Sequence, residues 1–123
     1  MKNMKKILAS LVLGISLFTS ASFATTTTSA TVWGQITSFG PSNSEVRRCS
    51  IRITEGSTGI VVGTSNINGF LYYSVNVSPV TVGEIYHWES VCPSNINILP
   101  VGPFDFILFD GQVKQVNGSA IYQ

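Results

Sequence analysis

The chain has 123 residues, and only 11% of them carry a charge, with seven Lys and Arg against six Asp and Glu. Three of the basic residues stand within the first six positions, so residues 25–123 keep four basic residues against six acidic ones, a formal charge of −2. Such a chain is unsuited to nucleic acid or an anionic membrane surface, since both are bound through Lys and Arg. We therefore expect neither of them as a partner.

The first 24 residues have the three parts of a secretory signal peptide. Three lysines open the chain, and residues 7–18 form an apolar run that is shorter than the roughly 20 residues a membrane span needs. Ser22 and Ala24 then supply the small side chains that precede a cleavage site. We predict that residues 1–24 form a signal helix that is removed on export, which leaves a secreted or periplasmic protein. The alternative is an N-terminal anchor that stays attached.

Residues 25–30, a Ser/Thr/Ala stretch without periodicity, are predicted to be a flexible leader before a single domain over residues 31–123. In that domain, Gly, Pro, Asn and Ser clusters separate short runs rich in Val, Ile, Thr and aromatic residues, which favour strands. Seven strands are predicted from this pattern, at residues 31–38, 48–55, 59–65, 70–77, 84–92, 104–109 and 112–121. They indicate an all-β fold, a seven-stranded antiparallel sandwich of two sheets.

Two connections complete the predicted topology. Asp110 and Gly111 form a two-residue hairpin signal between the last two strands, since a type I′ turn needs a positive φ at both positions. Residues 93–103 are the longest irregular stretch, and their apolar side chains predict a loop that packs across one end of the sandwich.

The two cysteines, Cys49 and Cys92, both follow the predicted cleavage site. In an oxidising compartment such a pair is most simply a disulfide, and the alternation along their strands directs both thiols inward. We therefore predict a Cys49–Cys92 bridge between the inner faces of the two sheets. Two thiols with a single histidine fall short of the four ligands of a structural zinc site, so no metal and no cofactor are predicted.

Four segments follow one another between residues 31 and 92. They are an opening strand with a central glycine, an alternating second strand, an Asn-Gly turn before an aromatic strand, and a glycine-then-tyrosine strand start, at residues 32–37, 49–53, 63–75 and 83–88. In this order they resemble the carboxypeptidase regulatory-like and prealbumin-like (transthyretin-like) domains. The resemblance implies a prealbumin-like or immunoglobulin-like sandwich that serves as a non-catalytic accessory or binding module.

Two relatives of that fold fit the chain less well. Domains that crosslink themselves through a Lys–Asn isopeptide bond place the lysine in an early strand, whereas Lys114 is the only lysine after residue 24. The transthyretin-like hydroxyisourate hydrolases use several histidines, whereas His87 is the only histidine of this chain. We therefore predict neither an isopeptide crosslink nor hydroxyisourate hydrolase activity for this chain.

His87 and Glu89 are the candidates for acid–base chemistry, because residues two apart on one strand share a face. We favour the alternative that they are polar residues on a solvated strand face, and the chain shows no nucleophile motif beside them. Asp105 and Asp110 could hold calcium, but that ion takes six to eight oxygen ligands. We predict turn chemistry for Asp110, surface charge for Asp105, no catalytic residues and no enzyme.

The segment 104–109 is apolar on both faces, which is unusual for a surface strand. Pairing across the predicted hairpin turns Ile107 and Phe109 away from the core, on the side of Val116. An exposed apolar stripe of this kind marks an interaction site. The alternative is cover by the loop at residues 93–103 or by the leader. We predict partner binding by Ile107, Phe109 and the strand edge next to Val116, where a partner's strand could add to the sheet.

Together these patterns predict an exported, non-catalytic β-sandwich module whose partner is another envelope or extracellular protein. One alternative is a subunit of a surface assembly or adhesin that exchanges strands through the leader at residues 25–31. The other alternative, from a different class, is a small secreted hydrolase that uses His87 and Glu89.

Overall fold

The computed structural model of the chain describes residues 28–93 and 95–123. The described residues contain a four-residue helix, α1 (Asn43–Val46), and nine strands: β1 (Ala30–Phe39), β2 (Ser50–Glu55), β3 (Val61–Asn66), β4 (Tyr72–Val77), β5 (Ile85–Val91), β6 (Ile96–Pro100), β7 (Asp105–Ile107), β8 (Val113–Gln115) and β9 (Gly118–Tyr122). The predicted signal peptide and residues 25–27 of the leader lie outside this part of the chain. Within it, no helix has the length and apolar character to cross a membrane.

The strands form two sheets, as the all-β prediction requires. One sheet has five strands in the order β4-β1-β9-β6, with β8 also pairing with β1, and the other has four in the order β3-β2-β5-β7. Most pairs are antiparallel, but β1 runs parallel to β8 and to β9. The fold is therefore sandwich-like as predicted, while the strand count of seven and the wholly antiparallel arrangement are wrong for the described residues.

The alternation of buried and exposed residues explains how the two sheets share a core. In β4 the pattern is strict, with Tyr73, Val75 and Val77 turned inward. In β5, Tyr86 and Trp88 are both fully buried and face the other sheet. Because successive side chains of a strand point to opposite faces, each sheet also presents a second, outward face to solvent.

The helix α1 shortens the second predicted strand. Ser42 is its N-cap, since the Glu45 backbone N–H donates to Ser42 Oγ at 3.3 Å and the Ser42 N–H donates to Glu45 Oε1 at 3.1 Å. This reciprocal capping box satisfies N–H groups that a helix start leaves unpaired. Because the chain remains in α1 and its C-cap up to Arg47, β2 begins at Ser50 and not at residue 48.

The region predicted as a loop at residues 93–103 contains the strand β6. It pairs antiparallel with β9, and its residues Ile96 and Ile98 are buried. The loop prediction is therefore wrong for Ile96–Pro100. The apolar residues that were expected to cover the end of the sandwich alternate along a strand instead.

Asp110 and Gly111 form a turn, but not a hairpin. The Gln112 N–H donates to the Phe109 carbonyl at 3.0 Å, and Gly111 has a φ of 78°. The flanking strands do not pair with each other, because β7 pairs with β5 and β8 pairs with β1. Asp110 therefore lies in a turn as predicted, but the predicted hairpin is wrong, and the Asp110 carboxylate accepts the Ser29 N–H at 3.0 Å.

The last predicted strand, 112–121, is divided into β8 and β9, and between them the Val116 carbonyl turns inward. It accepts the hydroxyl of Tyr73, whose oxygen accepts the Trp88 indole N–H at 2.9 Å. The carbonyl passes so close to Gly34 that a Cβ there would lie 2.0 Å from its oxygen. Burial raises the pKa of Tyr73 to about 12, so the hydroxyl stays protonated and keeps donating.

Cys49 and Cys92 form a disulfide, with their Cα atoms 4.2 Å apart. Cys49 directly precedes β2 and Cys92 directly follows β5, whose register pairs Ser50 with Val91. The bridge continues that register by one residue pair. The two cysteines are thus paired as predicted, but they join neighbouring strands of one sheet and not the two inner faces.

The described part of the leader is attached to the fold. Thr28 Oγ1 donates to the Val80 carbonyl and accepts the Val80 N–H, both at 3.1 Å. Ser29 is held through its N–H by Asp110, as noted above, and Ala30 is already the first residue of β1. From Thr28 onward, the leader therefore lies against the sandwich.

Candidate functional site

Several residues singled out by the sequence lie on the outward face of the four-stranded sheet, namely His87, Glu89, Asp105 and Ile107. The strand register aligns three cross-strand rows there: Arg52 with Glu89, Thr54 with His87 and Asp105, and Ile85 with Ile107. The first two rows are polar and the third is apolar. This face therefore changes from charged to apolar along the strands.

Glu89 belongs to an ion pair with Arg52. The Arg52 Nε donates to Glu89 Oε1 at 2.5 Å, across the β2–β5 pair, and both side chains remain partly exposed. Because solvent screens such a pair, its contribution to stability is small. Glu89 therefore pairs with Arg52, whereas the acid–base hypothesis required it to act together with His87.

His87 pairs instead with Asp105. The His87 Nδ1 lies 2.6 Å from Asp105 Oδ1, and the Phe104 ring stacks on the imidazole with centroids 6.0 Å apart and planes 14° from parallel. The sequence indicated surface charge for Asp105, and this side chain is exposed. Its partner could not be found from sequence spacing, because the contact depends on β7 lying next to β5.

A groove of about 750 Å³ lies beside this pair, between the turn that follows β2 and the start of β5. Glu84 lines it and accepts two hydrogen bonds from Ser57, from the N–H at 3.0 Å and from Oγ at 2.8 Å. These bonds hold the pKa of Glu84 below its ordinary range. Within the described residues, no group of three His, Cys, Asp or Glu side chains is arranged to hold a metal ion.

An apolar patch surrounds the edge strand β7, and we call Ile85, Phe104, Ile107 and Phe109 the β7 patch. Ile107 and Phe109 are 48% and 52% exposed, and the other two are exposed to a similar extent. Phe106 and Leu108, which alternate with Ile107 and Phe109, are buried in the core, so Ile107 and Phe109 are the outward half of the apolar segment that the sequence indicated, while Ile85 comes from β5.

Val116 does not belong to this surface. It is 6% exposed and lies between β8 and β9, where its N–H donates to the Trp33 carbonyl at 2.8 Å. The position predicted for Val116 beside Phe109 depended on a hairpin, and that hairpin does not form. Of the three predicted partner-binding side chains, only Ile107 and Phe109 are accessible.

The strand β7 also has an open edge, because it stands last in the order of its sheet within the described residues. Phe106 pairs with Tyr86 of β5, and the Phe104 carbonyl accepts the Trp88 N–H at 2.9 Å. Alternate residues of an antiparallel pair direct their backbone groups to opposite sides. The N–H and C=O groups of Asp105 and Ile107 therefore point away from β5.

Comparison with known proteins identifies no relative: no protein-family model matches the chain, and no curated protein matches it either.

Proposed function

We propose that this chain is an exported, non-catalytic β-sandwich module that binds a partner protein by adding a strand of that partner to β7. The observation that carries the proposal is the open edge of β7 together with the exposed Ile107 and Phe109. Strand addition takes its affinity from backbone hydrogen bonds, and its specificity from side-chain contacts beside the edge. The β7 patch supplies such contacts.

The arrangement of the patch supports a binding role over chance exposure, since Ile85 and Ile107 stand opposite each other in the register of β5 and β7. Single apolar residues on a surface are ordinary, but contiguous apolar groups next to an unpaired strand edge favour association. The β7 edge carries one charged side chain, Asp105, and that carboxylate is engaged by His87. A partner strand therefore meets an edge with little charge to repel it.

The proposal also includes a cellular compartment and a domain family. The disulfide between Cys49 and Cys92 is compatible with an oxidising periplasmic or extracellular location, and the signal-like residues 1–24 support export. The order of motifs along β1 to β5 supports a carboxypeptidase regulatory-like or prealbumin-like domain, whose members usually act as accessory modules.

The test is capture of proteins from the envelope and medium of the source cell by the exported, disulfide-bonded chain, with mass spectrometry of what is retained. Phe109→Asp should abolish retention of the partner, because a charge replaces an apolar contact. Ile107→Pro should do the same, because it removes an outward N–H while leaving the β5 side of the strand intact. Val82→Asp, at a residue 79% exposed in the loop before β5, is the matched control.

The control variant should retain the same protein as the unchanged chain, and all three variants should keep the thermal unfolding midpoint of the unchanged chain to within a few degrees. Equal retention by Phe109→Asp or by Ile107→Pro contradicts this placement of the binding site. If the retained protein is a second copy of the chain, the module is a subunit of an assembly, and size-exclusion chromatography will show the oligomer.

A small secreted hydrolase is the second candidate, and the His87–Asp105 contact is what favours it. A carboxylate on Nδ1 orients the imidazole so that Nε2 can act as a base toward water. Among the described residues, however, no hydroxyl or thiol bonds to the imidazole, and the Ser57 hydroxyl donates to Glu84. Any hydrolytic activity found in a broad ester, amide and glycoside screen should be lost in His87→Ala. Activity that persists in His87→Ala excludes this site.

A further inference from the structure

The outward face of the five-stranded sheet differs in kind from the face that carries the β7 patch. Across β1 and β4 the register pairs Thr31 with Asn76, Trp33 with Ser74 and Gln35 with Tyr72. All six side chains point away from the core, since their strand neighbours are buried. We call these six residues the β1–β4 face, and it consists of amides, hydroxyls and two large aromatic rings.

A shallow hollow lies in this face, with a volume of about 490 Å³. Trp33, Tyr72 and Ser74 line it from the sheet, while Asn66 and Asn68 line it from the end of β3 and the turn that follows. Trp33 and Tyr72 are diagonal neighbours on adjacent strands, a spacing of about 7–8 Å that long aromatic side chains bridge. The hollow therefore has two rings along one wall and amide groups along the other.

The turn that carries Tyr72 is held in one conformation. The Asn68 Oδ1 accepts the N–H groups of Phe70 and Tyr72, both at 3.0 Å. Leu71 adopts a φ of 62°, a left-handed conformation that is rare outside glycine. Its carbonyl accepts the Ile36 N–H at 2.8 Å, which ties the turn to β1. The backbone that carries Tyr72 is thereby held from both sides, which lowers the cost of ordering it when a ligand binds.

The polar groups of the face are available to a ligand. Among the described residues, the side chains of Gln35, Asn66, Ser74 and Asn76 hydrogen bond to no other protein group. Amides and hydroxyls both donate and accept, so they match a ligand whose own groups do the same. No Lys, Arg, Asp or Glu belongs to the face or to the lining of the hollow.

We propose that the β1–β4 face binds a neutral oligosaccharide, with one pyranose ring over Trp33 and the next toward Tyr72. A pyranose has an apolar face of C–H groups and a rim of hydroxyls. The C–H groups pack on the negatively polarised faces of aromatic rings, and the hydroxyls pair with amides. Apart from Asn66 at the end of β3, this site lies on the other sheet from the β7 patch, and it does not depend on the protein-binding proposal.

The absence of charge on this face decides among ligand classes. A nucleic acid, a sulfated glycan or a phosphorylated lipid headgroup would need basic side chains, and the face has none. An apolar peptide would leave the free amides of Gln35 and Asn76 unpaired, which costs binding energy. A neutral sugar chain satisfies both the rings and the amides.

The experiment uses the chain purified after export with its disulfide intact, labelled with ¹⁵N. The probes are three neutral hexasaccharides, of β-1,4-glucose, α-1,4-glucose and β-1,4-N-acetylglucosamine, with a heparin hexasaccharide as the charged comparator. At least one neutral probe should shift the Trp33 indole N–H and the side-chain amides of Gln35 and Asn66 at millimolar concentration or below. The heparin probe should leave these resonances in place.

Variants locate the site. Trp33→Ala and Tyr72→Ala should each weaken binding roughly tenfold or more, and Trp33→Phe should retain most of the affinity because it keeps a ring. Val82→Ala, in an exposed loop outside the face, should bind as the unchanged chain does. Unchanged melting temperatures in these variants will show that lost binding is not lost folding.

The chain has two tryptophans, and only Trp33 borders the hollow, because Trp88 is fully buried. A change in indole emission on adding the sugar should therefore disappear in Trp33→Phe. An emission change that persists in that variant overturns the placement. The proposal is also overturned if no neutral probe moves the Trp33 resonance, or if the heparin probe alone does so.

Discussion

The two outward faces of this sandwich-like fold are built by the same alternation, yet they carry different chemistry. The face of the four-stranded sheet has the Arg52–Glu89 and His87–Asp105 pairs and ends in the β7 patch. The β1–β4 face has aromatic and amide side chains without a charge. We propose that the open edge holds a protein and that the uncharged face holds a neutral ligand.

The two faces share a buried chain of hydrogen bonds that runs between the sheets. The hydroxyl of Tyr73, on β4, accepts the indole N–H of Trp88, on β5, and donates to the Val116 carbonyl. This buried chain of hydrogen bonds joins the two sheets directly behind both faces. A change in the shared core should affect both surfaces, while a change on one surface should leave the other as it is.

The largest effect on stability is expected for Tyr73→Phe. Without the hydroxyl, the Trp88 indole N–H and the Val116 carbonyl are buried without this partner, which costs about 1–3 kcal/mol of unfolding free energy. Urea denaturation of the exported protein measures the loss. Tyr72→Phe, one residue away but turned outward, is the matched control and should change stability by no more than about 0.5 kcal/mol. Equal losses in the two variants would contradict a stabilising role for the Tyr73 hydroxyl.

A smaller, pH-dependent effect is expected for Glu84, which lines the groove on the charged side. The Ser57 hydroxyl and N–H stabilise the ionised Glu84 carboxylate and lower its pKa from the ordinary value of 4.5. A carboxyl group whose pKa is lowered by folding stabilises the protein above its unfolded pKa, and that stability is lost as the pH falls through the folded pKa. The unfolding temperature should therefore fall below about pH 4.5, and less steeply in Glu84→Gln.

Ser57→Ala sharpens this test because it removes the hydroxyl donor while the carboxylate stays. It should flatten the acid slope partway toward that of Glu84→Gln. Glu45, whose pKa is lowered by the Ser42 N–H and by Tyr122, will keep contributing to the slope in both variants. Identical acid slopes for the unchanged chain and Glu84→Gln would contradict the role assigned to this hydrogen bond.

Local patterns were enough to predict most elements of the fold. The strands β4 and β5 lie within the predicted segments 70–77 and 84–92. Errors arose where a local signal was ambiguous. The Asp110-Gly111 turn forms without pairing its strands, and the apolar stretch expected to be a loop contains β6. Turn chemistry reverses the chain, but it does not determine which strand the chain meets next.

Some features of the candidate surfaces could be predicted from the sequence, and others depend on the tertiary structure. The outward positions of Ile107 and Phe109 follow from sequence, because period-two alternation is a local property of an extended chain. The His87–Asp105 contact, the burial of Val116 and the hollow between Trp33 and Tyr72 were decided only by the tertiary structure. Each depends on which strands lie side by side, and that order is set by long-range packing of two sheets on one core, which spacing along the chain does not encode.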